Sequence, residues 1–189
     1  INKPRPPPVG GGLTIRNERM NIMPFTVISP NEITSNPFSM LHQQWALVTA
    51  RSPQGANPMT VSWGGVGIIW NKPVATIYIR PQRYTHQLLE EEDTFTISFY
   101  PESCRDALKL CGSKSGREMD KAAAAGLTPV EQDGFCFYEE AELVLCCKKI
   151  YKDTIKPEGF LSPDIAGNYP AEDYHDIYLG EIVQVLKKA

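Results

Sequence analysis

Four things are missing from this sequence, and each absence removes a class of function. There is no cluster of Lys and Arg, and the net charge is -3 with a pI near 5.7, which argues against nucleic acid as the main partner. There is no long hydrophobic run: the longest mostly apolar stretch, Val61 to Trp70, is short and broken by glycine, so it cannot span a bilayer. There is no Cys-x-x-Cys. The five cysteines are odd in number, and Cys146 and Cys147 are neighbours whose side chains point to opposite faces of a strand. Buried free thiols in a reducing, cytoplasmic setting account for them better than a disulfide framework or zinc site. A removed N-terminal signal stays open, because the sequence starts at Ile1 rather than Met. Finally, there is no Gly-x-Ser-x-Gly elbow and no second ligand at metal spacing beside His175, which leaves acyl transfer and metal chemistry without support.

What is present suits one domain of ordinary composition, 189 residues with 42% apolar and 22% charged. Residues 1–13 open with INKPRPPPVGGG, a proline- and glycine-rich arm with too few apolar groups to pack, and residues 14–189 form the single domain. PFTVIS reads as a short first strand and NPFSMLHQ as a loop or single turn. WALVTAR and PMTVSWGG form a hairpin across the Pro53/Gly55 turn, and VATIYIR is the next strand. THQLLEEE has helical composition, with Thr85 placed as its N-cap. TFTISFY alternates as a half-buried strand does. Two helices follow, ESCRDALKLCG closed by Gly112 and EMDKAAAAG closed by Gly126. ELVLCCKKIYK and IYLGEIVQVLKK are the last strands. Strands outnumber helices, which favours a mainly β fold, an antiparallel barrel or sandwich with peripheral helices.

Four segments carry possible chemistry. Met59 to Gly65, MTVSWGG, alternates small and hydroxyl residues up to a glycine pair, which suits close approach of a flat ligand or of another backbone. The plain alternative is a bulge at Gly64-Gly65. IRPQRYTHQL places Arg80, Arg83, Tyr84 and Thr85 between a strand and a helix start, where an anion would meet guanidinium forks, hydroxyls and free N–H groups. Surface pairing of one arginine with Glu90–Asp93 is the competing account. GSKSGRE, with Ser113, Lys114 and Ser115 and with Lys121 further along, can form an anion-binding nest or a solvated loop. It lacks the P-loop spacing. YHDIYLGEI sets His175 just before the last strand.

Taken in this order, NPMTVSWGG, NKPVATIYIRPQRYTHQLLEE, FTISF, ALKLCGSKSGREMDK with AGL, and HDIYLGEI resemble the flavin reductase-like family of FMN-binding split barrels, its flavoredoxin and ferric reductase branch most. The resemblance covers roughly residues 36 to 187. It implies an antiparallel Greek-key split barrel with helical excursions, a homodimer holding FMN near the subunit interface. By position, it implies that Thr60, Val61, Ser62, Trp63 and Gly64 lie along the isoalloxazine ring. It implies that Arg80, Arg83, Tyr84 and Thr85 grip the phosphate, with Ser113, Lys114, Ser115 and Lys121 as a second phosphate-side segment. His175 resembles the nicotinamide-side histidine of the family's Gly-Asp-His pattern, although Asp173 and Tyr174 precede it here. The implied activity is an oxidoreductase taking a hydride from NAD(P)H at flavin N5 and passing electrons to free flavin, a ferric complex or another small acceptor. The alternatives are a flavoredoxin-type carrier reduced by a redox partner protein, and a flavin- or haem-binding module without turnover.

Overall fold

The computed structural model describes residues 25–53 and 55–189. The expected arm, residues 1–13, and the first part of the expected domain, 14–24, lie outside the described residues. Ten strands are found among them: β1 Phe25–Ile28, β2 Ala46–Ser52, β3 Gly55–Val61, β4 Gly64–Ile69, β5 Lys72–Ile79, β6 Thr94–Phe99, β7 Pro129–Gln132, β8 Phe135–Tyr138, β9 Leu143–Thr154 and β10 Asp176–Lys188. Three α-helices accompany them: α1 Tyr84–Glu91, α2 Arg105–Ser113 and α3 Lys121–Ala124.

The main sheet runs β3-β2-β6-β9-β10-β5-β4, with β1 added to the far end of β10, and β7-β8 form a separate hairpin. All pairings are antiparallel. The order starts at β3 and ends at β4, two strands joined only by Ser62 and Trp63. One sheet thus curls around one apolar cluster, carries a second on its opposite face beneath α2, α3 and β8, and stays split where β3 hands over to β4. No helix of the described residues is long and apolar enough to cross a membrane.

Several local expectations change. NPFSMLHQ is no plain loop: Ser39–Gln44 is a π-helical segment with Met40 buried. MTVSWGG is two strands, and its glycines open β4 rather than bulging β3. A Cβ on Gly64 would lie 2.7 Å from the Thr76 carbonyl oxygen of β5, so the close approach this glycine serves is that of another backbone. β6 is buried on both faces. The face carrying Thr96 and Ser98 is covered by β8, and the Thr96 hydroxyl donates to the Cys136 carbonyl at 2.7 Å. The β7–β8 hairpin that provides this cover turns at Asp133-Gly134, both at positive φ, an Asp-Gly turn signal present in the sequence.

Gly112 does not close α2. The helix runs to Ser113 and is capped at Lys114. Gly112 instead lets α2 pack on β3, since a Cβ there would sit 3.2 Å from Thr60 Cβ. α3 begins at Lys121 rather than Glu118, because the Asp120 carboxylate caps it by accepting from the Ala123 N–H at 3.0 Å. Thr85 lies inside the first turn of α1, whose N-cap position is Arg83 with no side-chain cap. Beyond that turn a polar network fastens α1 to β9 and β10. The Lys152 ammonium pairs with Glu90 at 2.7 Å and Asp176 at 3.0 Å. His86 Nε2 meets Asp176 at 2.7 Å, and the Tyr178 hydroxyl donates to Glu90 at 2.6 Å.

Candidate functional site

The end of β3 and the Ser62-Trp63 link form one wall of a cavity of about 180 Å³, with Tyr78, Arg80, Arg83 and His175 opposite. It sits at the split in the sheet, where among the described residues no strand pairs with the outer edge of β3. Thr60, Val61, Ser62 and Trp63 all line it, whereas Gly64 lines a larger neighbouring chamber of about 670 Å³ that shares Ser62, Trp63 and Tyr78. The Thr60 hydroxyl is already committed to the Leu108 carbonyl of α2. His175 is buried, its Nδ1 is 3.0 Å from the Tyr169 hydroxyl, and its ring tilts against Trp63 at 5.2 Å. Burial first, and the Arg80 charge second, push its pKa down to about 4, so it is neutral at physiological pH.

A second cavity, of about 290 Å³, shares Met59 and Arg83 with the first. Its other walls are Gln82, Tyr84 and Thr85 at the start of α1, Ser113 to Gly116 after α2, and Lys121. Two arginines hold these segments together. The Arg83 guanidinium donates to the Gly112 carbonyl at 3.3 Å. The Arg117 guanidinium donates to the Gln82 carbonyl at 3.2 Å and lies over the Tyr84 ring at 5.1 Å. Lys121 is only 4% exposed, and its ammonium donates to the Cys111 carbonyl at 3.0 Å. Burial pushes its pKa down to about 8, with the Arg83 charge acting in the same direction.

Two separated stretches of sequence thus meet: Arg83, Tyr84 and Thr85 face Ser113, Lys114, Ser115 and Lys121 across one cavity. Arg80 does not join them. It lines the first cavity and not the second, pairs with Asp173, donates to the Asn168 carbonyl at 2.8 Å and lies over Tyr169. Neither arginine pairs with Glu90–Asp93 among the described residues. Four residues of the site escaped the sequence reading: Asn57, Arg117, Tyr169 and Asp173. Asn57 opens NPMTVSWGG and Arg117 lies within GSKSGRE, but neither was assigned a role, because their partners are distant in sequence. Tyr169 sits in a segment without a periodic signal, and Asp173 was noted only as a departure from the Gly-Asp-His pattern, not as a partner of Arg80.

The donor set fits a phosphorylated flavin. Three cations, Arg83, Lys114 and Lys121, and several hydroxyl residues line a cavity with room for a phosphate group, and beside it a strand edge and aromatic rings offer a flat wall.

The architecture is that of the FMN-binding split barrels, an antiparallel sheet with its opening at the edge strands. Within that class, the chain belongs to the flavin reductase-like family, whose model, described as "Flavin reductase like domain", matches residues 38–188. Solved structures agree on the fold. The FMN-binding protein from Thermus thermophilus with bound 1-cyclohex-2-enone is 25% identical with a TM-score of 0.62, over 85% of this chain and 76% of that one. Flavoredoxin of Desulfovibrio vulgaris (Miyazaki F) is 23% identical with a TM-score of 0.60, over 84% and 74%. The styrene monooxygenase flavin reductase of Pseudomonas putida S12 is 15% identical with a TM-score of 0.56, over 75% and 77%. No protein of curated function matches the sequence significantly.

Proposed function

We propose that this chain binds FMN and acts as an NAD(P)H-dependent oxidoreductase, reducing free flavin, a ferric complex or another small acceptor. Bound FMN would supply the two-electron chemistry. The chain's residues hold it, orient it and keep water from it. Arg83, Lys114, Lys121 and the hydroxyls of Thr85 and Ser115 would take the phosphate, the Ser113 hydroxyl being spent on the Lys109 carbonyl at 2.9 Å. The backbone edge and side chains of residues 60–63 would lie along the ring, with neutral His175 on its far side as a substrate contact. The observation that carries this reading is the meeting of the two cavities at Arg83 and Met59, which gives one ligand an anionic end and a flat end. The fold of FMN-binding relatives supports it. We also propose a homodimer and a cytoplasmic location.

A second reading, a flavoredoxin-type carrier reduced by a protein partner, is favoured by one observation. Asp173, where the family's nicotinamide-side pattern differs, is bound to Arg80 and Gln82, not left facing a substrate. One experiment separates the two. The purified protein is expected to be yellow and to release FMN on denaturation. Anaerobic NADH or NADPH then bleaches a reductase within minutes and leaves a carrier oxidised. A colourless protein that takes up no added FMN sinks both.

A further inference from the structure

Asn57, on β3, is buried and stands behind the cationic cavity, touching both of the segments that form it. Its Nδ2 donates to the Thr85 hydroxyl oxygen at 2.8 Å, and both groups are buried. On its other side its Oδ1 faces Gly116, where a Cβ would lie only 2.0 Å away, so the loop after α2 closes over it only with glycine there. A threonine hydroxyl carries one hydrogen and two lone pairs. With the amide N–H occupying a lone pair, the hydrogen of Thr85 is left to donate elsewhere. Among the described residues it has no acceptor, and Thr85 lines the cationic cavity.

We propose that Asn57 is a positioning residue that fixes the Thr85 hydroxyl as a donor into the cavity, and so selects phosphorylated over unphosphorylated flavin. The role rests on the phosphate placement given above. Its chemistry is directional: an amide N–H must point at Thr85. Asn57→Asp is nearly the same shape, yet its carboxylate would accept the Thr85 hydrogen and set a negative charge behind the phosphate.

The test titrates apoprotein with FMN and with riboflavin, which lacks the phosphate, in one buffer. Wild type is expected to prefer FMN. In Asn57→Asp that preference falls by about tenfold or more, the scale of a hydrogen bond to a charged group, while riboflavin affinity stays within about twofold. Should Asn57→Asp fail to fold, Thr85→Val, which keeps the shape and removes the hydroxyl, must show the same selective loss, and Thr85→Ser must restore the preference. A preference untouched in these variants overturns the proposal, as does an equal loss for both ligands, the signature of a merely structural role. Wild type that binds riboflavin as tightly as FMN overturns the phosphate placement itself, and this role with it.

Discussion

A buried ammonium with a single carbonyl partner is unstable until an anion joins it, and Lys121 is such a group. In the unfolded chain its pKa is near 10.5, and burial in the fold brings it to about 8. Between these values the unfolded state binds more protons, so the Lys121 contribution to apoprotein stability rises with pH from about 8 to 10.5. Flavin affinity runs the other way. A phosphate dianion favours the charged amine, so FMN binding is expected to be level below about pH 8 and to weaken above it. Lys121→Met should flatten both slopes, measured as urea midpoints of the apoprotein and FMN dissociation constants from pH 7 to 10. Opposite slopes that survive in the variant would assign them to another group. Arg83 acts at the same scale. Its guanidinium borders both cavities, and Arg83→Ala should weaken FMN binding by about 1.5–3 kcal/mol, the worth of a charged hydrogen bond, with riboflavin binding hardly changed. FMN held as tightly as by wild type would place the phosphate elsewhere.

At the scale of elements, periodicity located most strands and helices but misjudged what covers them. TFTISFY alternates as a strand with one wet face would, yet Thr96 and Ser98 are sealed under β8, and no local pattern reports a lid built about 40 residues later. Thr85 looks like a cap because it stands at the start of a helical run. A buried amide from β3 claims its oxygen instead. Glycines divide in the same way. Gly180 lies in β10 at a register irregularity opposite β9. A Cβ there would sit 2.6 Å from Phe95 Cζ and 2.8 Å from Cys147 Cβ. Gly180→Ala should therefore cost about 1–3 kcal/mol through overpacking. Gly65→Ala, with nothing within 4 Å of its added Cβ, should stay within about 0.5 kcal/mol. Denaturant unfolding of the pair checks this, and equal stabilities would mean that the barrel yields at Gly180.

For the whole molecule, the strand count pointed to the antiparallel β fold that is found, and the motifs named stretches that this fold brings together. The sequence showed two cationic, hydroxyl-bearing stretches some 30 residues apart, and packing of α2 on β3 brings them face to face across one cavity. It could not show that Arg80 would be claimed by Asp173, because an ion pair spanning 93 positions leaves no local trace. Subunit arrangement is the remaining consequence of the topology. The sheet ends at β4, where Ile68 is 73% exposed and Trp70, just after it, 57%. Val66 and Ile69 are partly bare as well. Among the described residues no strand pairs with the outer edge of β4; such an apolar edge invites pairing with another chain, and a second copy is the partner always at hand. Sedimentation should give a species of about twice the 21.1 kDa chain mass, and Ile68→Lys should shift it toward monomer. The same strand follows directly on Ser62 and Trp63, so separating the proposed copies would uncover that flank of the cavity of about 180 Å³, and FMN affinity should fall together with the dimer. A wild-type chain that sediments as a monomer at micromolar concentration, or an Ile68→Lys monomer that keeps full FMN affinity, would break the link between assembly and site.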